Sequence, residues 1–318
     1  MGDLEGVEPL STDELADVGG LCRAHFGSAC RMVESRVTRR RRDYTVVVAT
    51  LSGLAQPVAI KLAGPNAPLA CPFERTAAIL RLVRVHTTVP VPEPLAQDIS
   101  YRDYPWRYAI MTALPGVSWQ TARQDWTMEA QCDAWAELGR AVAALHTIMF
   151  PACGEIGEAG EVIDGQPYAA ALVARAGRRI ADQRHRDLFL RVLDDRAALF
   201  RESYPAFLSH EDLNPTNLLL APDARTGRWR LTGILDFDSA WAGERESDLA
   251  RLALWDGMTG ADFWAAYDLE RALTPAEAER RLVLQLLWCL EYAQPTPRHH
   301  TDTRRICGAL GLAPITFG

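Results

Sequence analysis

The stretch His210-Glu211-Asp212-Leu213-Asn214-Pro215-Thr216-Asn217 sets a histidine, two acids and two asparagines around one proline, then runs straight into Leu218-Leu219-Leu220. Polar side chains in that number resist burial unless each finds a hydrogen-bond partner. The leucine run demands burial, as a strand. The chain must therefore fold so that an irregular polar loop meets a packed core, the setting in which rigid elements position reactive groups. Asp236, in Ile234-Leu235-Asp236-Phe237-Asp238, repeats the pattern: a carboxylate ends an apolar strand, where its charge is costly without a cation nearby.

The layout around this loop has two halves. Tyr44 to Leu51 and Pro57 to Ala63 are rich in β-branched residues and separated by a turn, so they read as a hairpin. Phe73 to Val85 has helical spacing. Val89 to Leu95 holds three prolines and must be extended, and Trp106 to Gly116 is an apolar strand stopped by Pro-Gly. From Met128 to Ile148 a helix carries a stripe of Trp135, Leu138, Val142 and Leu145. A second helical region spans about Tyr168 to Tyr204. The polar loop, a strand, a turn and the strand ending at Asp236 follow, and helix resumes from Ser247 to about Tyr292. With 318 residues the chain is long enough for two lobes. The expected organisation is α+β: a small β-rich lobe over 1–111 and a larger, mostly helical lobe over 112–318, hinged at about 111–116. A cleft between lobes is the default place for a ligand.

Composition excludes some partners. A net charge of −7 argues against a general nucleic-acid binder or a protein of anionic membranes. No apolar stretch approaches the roughly 18 residues of a membrane span. The seven cysteines, Cys71 among them, are widely spaced with no C-x-x-C pair, so neither a zinc site nor a disulfide framework is indicated. Reduced thiols fit a cytoplasmic protein. The acidic N-terminus lacks the apolar segment of a signal peptide, and Gly6 breaks the myristoylation pattern.

Phosphoryl transfer from a nucleotide needs a base for the attacking hydroxyl, oxygen ligands for Mg²⁺, a cation on the phosphates and something to hold that cation. Asp212 can accept a hydroxyl proton. Asn217, five residues on, offers an amide oxygen, and the hairpin from Leu218 to Leu235 returns Asp236 to the same neighbourhood. Hard oxygens of this kind suit Mg²⁺. Lys61, after the apolar strand Val58-Ala59-Ile60, supplies the cation, and Glu74 at the start of the next helix supplies its partner. Taken singly, Lys61, Glu74 and the run Arg39 to Arg42 have ordinary structural explanations. Asp238 fits equally a second acid at a metal site and a solvated turn residue. The order of the pieces carries the argument.

Val58-Ala59-Ile60-Lys61, His210 to Asn217 and Asp236-Phe237-Asp238 in that order resemble a protein-kinase-like fold, in its small-molecule branch: the aminoglycoside phosphotransferase and choline kinase-like family. Asn214 stands where protein kinases carry lysine, and no long activation segment follows Asp238. Gly243 and Asp248 match the family's Gly-Asp-Pro…Asp-Leu-Ala segment, while Glu244-Arg245 depart from it. The resemblance spans roughly Val58 to Leu252. It implies Asp212 as catalytic base, Asn217 and Asp236 as Mg²⁺ ligands, Lys61 on the phosphates and Glu74 on Lys61. It implies His210 and Asp248 as braces of the loop. Backbone of about Thr112 to Leu114 would meet the adenine edge, with Met111 beside it. The nucleotide implied is ATP, with GTP as an alternative. Where a glycine-rich phosphate loop is expected, Glu34 to Val47 contains no glycine, so Arg39 to Arg42 are candidates for phosphate contact instead.

The acceptor is then a small-molecule hydroxyl. Asp256, Asp262, Asp268, Glu270, Glu277, Glu279 and Glu291 outnumber Arg251, Arg271, Arg280 and Arg281 in the C-terminal helices. With Trp255, Trp264, Tyr267 and Trp288 they would suit a cationic acceptor, first an aminoglycoside-type antibiotic. Macrolides, choline-like amino alcohols, sugars and homoserine are alternatives. A catalytically inactive nucleotide-binding protein and a protein kinase are the competing functions, the latter disfavoured by Asn214.

Overall fold

The computed structural model describes residues 7–40, 44–64, 72–201, 205–268, 273–292 and 296–317; Arg41, Arg42, Cys71, Tyr204, Glu270 and Arg271 lie outside them. The chain opens with α1 (Thr12–Phe26), β1 (Met32–Arg40), β2 (Thr45–Leu51), β3 (Val58–Ala63), α2 (Phe73–His86), β4 (Pro94–Asp98), β5 (Arg107–Thr112), β6 (Val117–Ser118) and α3 (Trp119–Ala122). Then come α4 (Met128–Leu145), β7 (Met149–Phe150), β8 (Cys153–Ile156), β9 (Val162–Gln166), α5 (Tyr168–Arg179), α6 (Gln183–Asp195) and β10 (Ala206–Ser209). Beyond the polar loop follow β11 (Leu218–Pro222), β12 (Trp229–Ile234), β13 (Trp241–Gly243), α7 (Arg245–Leu252), α8 (Ala261–Tyr267), α9 (Pro275–Glu291) and α10 (Pro297–Ala309). Two compact units result. The first takes the chain up to Trp126 together with Leu218–Asp238; the second takes Thr127–Asn217 and the chain from Ser239 onward.

The first unit is built on an antiparallel sheet in the order β1-β2-β3-β5-β4. Strand alternation sorts its faces. Val47, Leu51, Ile60, Leu62 and Ile110 pack on Val18 and Leu21 of α1. Each such fully buried aliphatic side chain contributes about 1.5–3 kcal/mol. Lys61, one residue out of phase with Ile60 and Leu62, points to the opposite face; Ala63 and Ala109 on that face cluster with Phe73 of α2. The helix α1 was not expected, although Ser11 and Glu14 form a reciprocal capping box that announces it. The hairpin β11–β12 joins this unit by pairing with β6, Leu219 opposite Ser118 and Leu220 opposite Val117. Gly116, at φ +112°, lets the chain turn there, where a Cβ would meet the Leu220 carbonyl at 2.6 Å.

The second unit is mostly helical, as expected, but carries a five-stranded sheet in the order β7-β10-β13-β8-β9. Its strands are two to five residues long, too short to leave a period-two signal in the sequence. β10 is buried at all four positions and delivers Ser209 to the polar loop, with Ser209 opposite Trp241 of β13. The helix expected over Met128 to Ile148 stops at Leu145, and His146 closes it through Val142 and Ala144. Along α4, Gly139 brings α8 close: a Cβ there would meet the Phe263 carbonyl oxygen. Gly139→Ala should therefore destabilise the protein, costing about 1–3 kcal/mol from overpacking against a gain of about 1 kcal/mol in helix propensity. A thermal melt checks this; an unchanged or raised Tm would mean that α8 moves aside freely.

Candidate active site

The polar loop is held from beneath by a carboxylate. Asp248 of α7, fully buried, accepts from the backbone N–H of His210 and of Glu211, both at 2.8 Å. His146 Nε2 lies 3.2 Å from the same carboxylate, and its Nδ1 is 2.7 Å from the Tyr267 hydroxyl. His210 Nδ1 accepts from the Asp212 N–H at 3.1 Å. Asn214 accepts from the backbone and hydroxyl of Thr216, a local turn that shapes the rest of the loop.

Glu211 sits at φ +66°, a left-handed conformation that costs a non-glycine residue about 1–2 kcal/mol. Its side chain explains why the conformation persists. Oε1 accepts from Ser209 Oγ and Trp241 Nε1, both at 2.6 Å, and Oε2 forms an ion pair with Arg175 at 2.9 Å. Arg175 is itself buried and makes a two-pronged contact with Glu291, at 2.6 and 2.8 Å. Burial pushes the Glu211 carboxyl up, but Arg175 with the Ser209 and Ser247 hydrogen bonds outweighs it and holds the group at about 2.

Asp212 is therefore presented on a rigid loop. Both its oxygens are engaged: Oδ2 accepts from Asn217 Nδ2 at 2.8 Å, and Oδ1 accepts from Arg251 Nη2 at 2.5 Å. Arg251 is buried, with its guanidinium carbon 3.3 Å from the Trp288 ring centroid. Sequence reasoning had counted Arg251 only as one basic residue among the C-terminal helices. A signal was present: it follows Asp248 by three positions on α7, so both face the loop.

In the first unit, Lys61 Nζ lies 2.6 Å from Asp238 Oδ2 and 3.3 Å from Asp236 Oδ1, and 4.5 Å from the Tyr44 ring centroid. Thr76 Oγ1 donates to Asp238 Oδ1 at 2.9 Å, and Arg75 donates to the Asp238 carbonyl. Glu74, expected to hold Lys61, stands half-buried in the first turn of α2 and is not among these contacts. Arg39 reaches Asp236 at 3.7 Å and the Tyr44 hydroxyl at 3.3 Å. Arg40, on the other face of β1, turns instead to Glu14 of α1 at 3.1 Å. Burial first, and then the Asp236 charge, push the Tyr44 phenol up. Two carboxylates thus meet three cations, an excess of positive charge that suits a polyphosphate.

The segment expected to meet a base ends β5. The Thr112 N–H donates to Glu93 O and the Ala113 N–H to Pro57 O, each at 3.0 Å. Leu114 packs toward Gly233 of β12, where a side chain would collide with it. Three acids of the C-terminal helices are occupied. Glu279 pairs with Arg196 at 2.8 Å, Glu291 with Arg175, and Glu277 closes the cap of α9. The aromatic faces are occupied too: Arg251 and Arg298 lie over Trp255, at 5.6 and 4.5 Å, and Arg281 lies over Trp264 at 5.8 Å. Among the described residues no helix is long and apolar enough to cross a membrane.

Comparison with known proteins shows the family and the fold. A model of the phosphotransferase enzyme family matches residues 41–283. A thermostable mutant of aminoglycoside phosphotransferase APH(4)-Ia, in complex with AMP-PNP and hygromycin B, is similar with TM-score 0.65 and 15% identity, over 93% of this chain and 97% of that one. A presumed fructosamine-3-kinase from Haemophilus somnus 129PT gives TM-score 0.64 at 15% identity, over 92% and 96%. The GDP and kanamycin complex of APH(2")-IIIa gives 0.59 at 14%, over 93% and 97%.

The buried Glu211 carboxylate has a pH consequence. Its folded value of about 2 lies below its ordinary 4.5, so the stabilisation is complete above pH 4.5 and is lost as pH falls toward 2. Thermal melts across that window should show a steep loss for the native chain and a flatter one for Glu211→Gln. Parallel curves would mean that other carboxylates govern the acid limb.

Proposed function

The chain belongs to the phosphotransferase enzyme family, and from that premise we propose that it moves the γ-phosphate of ATP, with Mg²⁺, to a hydroxyl of a small molecule. The observation that carries this is the Asp212 carboxylate, tied by Arg251 at one oxygen and by Asn217 at the other. It is aimed before any acceptor arrives, and positioning is most of what a loose phosphoryl transition state asks of a protein. Asp212 orients the hydroxyl and takes its proton. His210 holds the Asp212 backbone.

Lys61 and Arg39 supply cations for the phosphates. Asn217 and Asp236 are the donors for Mg²⁺. Asn217 uses its amide nitrogen on Asp212, which leaves the amide oxygen as the ligating atom, and a carboxylate and an amide oxygen are the hard donors magnesium prefers. When bound, the ion offsets phosphate charge. With the Thr112 and Ala113 N–H groups engaged, Leu114 supplies the N–H for the base edge and Met111 lies beside it. GTP is the second donor this reading admits, and the GDP complex of APH(2")-IIIa supports it. A cytoplasmic setting goes with such a substrate.

For the acceptor we assign the aminoglycoside class, supported by the hygromycin B and kanamycin complexes of similar proteins. A second reading has its own observation. Glu279 and Glu291, two of the acids expected to hold a cation, are paired with arginines, and the group beside the base is the guanidinium of Arg251. A neutral or anionic hydroxyl compound, a sugar or a homoserine-like acid, suits that wall better.

ADP release from Mg²⁺-ATP should be stimulated by one pool among aminoglycosides, macrolides, amino alcohols, sugars and hydroxy acids. Asp212→Asn should lower that rate by about 10² to 10⁴-fold while nucleotide affinity holds, and should lower Tm, because buried Arg251 loses its carboxylate partner. Turnover that survives the change would show that Asp212 is not the base. ATP binding with no ADP release from any pool would favour an inactive nucleotide-binding protein.

A further inference from the structure

We propose that Asp238 is the residue that positions Lys61 for the nucleotide's phosphates, the role expected of Glu74; this rests on the nucleotide-binding reading above. Three contacts fix Asp238. Oδ2 lies 2.6 Å from Lys61 Nζ, Oδ1 accepts from Thr76 Oγ1 at 2.9 Å, and the carbonyl accepts from Arg75. It follows the fully buried Phe237 in a single 3₁₀ turn, so its backbone is seated from below as well. A solvated turn acid would show none of this.

Helix geometry explains the exchange of roles. At about 100° per residue, Glu74 and Thr76 stand roughly 200° apart around α2. With Thr76 turned to the Lys61 cluster, Glu74 faces away from it. α2 thus holds the ammonium through an intermediary carboxylate. A metal-ligand role for Asp238 fits less well, because each of its oxygens already has a close protein partner. Asp236 lies 3.3 Å from Lys61 and 3.7 Å from Arg39.

Isothermal titration of the full-length chain with ATP, once with Mg²⁺ and once with EDTA, separates the possibilities. Asp238→Asn should weaken ATP by roughly tenfold in both conditions, because an anchor of Lys61 matters whether or not metal is bound. Thr76→Val, which removes one prop of the carboxylate from outside the charged cluster, should weaken binding in the same two conditions by a smaller factor. Glu74→Gln should have less effect than Asp238→Asn. Weakening confined to the Mg²⁺ titration would make Asp238 a metal ligand and overturn the proposal. So would native affinity in Asp238→Asn, or a larger loss in Glu74→Gln. Should Asp238→Asn melt early, Thr76→Val decides alone, and native affinity there overturns the proposal. Absence of ATP and GTP binding by the unaltered chain would instead remove the nucleotide reading itself.

Discussion

Asp248 has no contact with solvent, yet both its oxygens are filled by adjacent backbone N–H groups of the loop that carries Asp212. Left without that carboxylate, each buried donor would cost about 1–3 kcal/mol, so the turn from β10 into the loop has one stable direction. The same helix acts again one turn later, through Arg251 on the Asp212 side chain. α7 therefore grips the loop by two contacts of opposite polarity: an acid on the loop's backbone and a cation on the loop's acid. Neither alone determines where the Asp212 oxygens lie; together they do.

The interior of the second unit is unusually rich in charge. Arg175, Arg251 and Arg280 are all buried, each with a carboxylate partner, in Glu211 and Glu291, Asp212 and Glu244 respectively. Each also lies over an aromatic ring, Trp241, Trp288 and Tyr168. Burying such ions is expensive, and the arrangement persists only because partners and flat aromatic faces replace water. The net charge of −7 is therefore a poor guide to the acceptor's charge. Glu279 and Glu291, which a composition count assigns to a binding surface, are engaged in holding arginines.

Much of this was legible in the residues. Strand alternation identified β2 and β3, and the helical stripe identified α4, because both elements bury one face against a core. The order of Lys61, Asp212, Asn217 and Asp236 pointed to the family. What stayed hidden depended on contacts made across the sequence. The Asp238–Lys61 pair joins residues 177 positions apart, and nothing local distinguishes Asp238 from Glu74 as the partner. The phase of α2 decides it. The β8–β9 hairpin escaped because its strands are short and Gly165 interrupts their pattern. α1 was overlooked despite its capping box, because its apolar positions are sparse.

Asp236 adopts φ +67°, in the same left-handed region as Glu211. Asparagine and aspartate enter that region more readily than other non-glycine residues, since a short polar side chain can bond locally. The position thus filters substitutions by backbone as well as by chemistry. Replacing the acid with its amide removes charge and preserves the turn. Replacing it with alanine changes both at once, so an alanine scan would score Asp236 twice, for the lost carboxylate and for a strained backbone, and only the isosteric exchange separates the two.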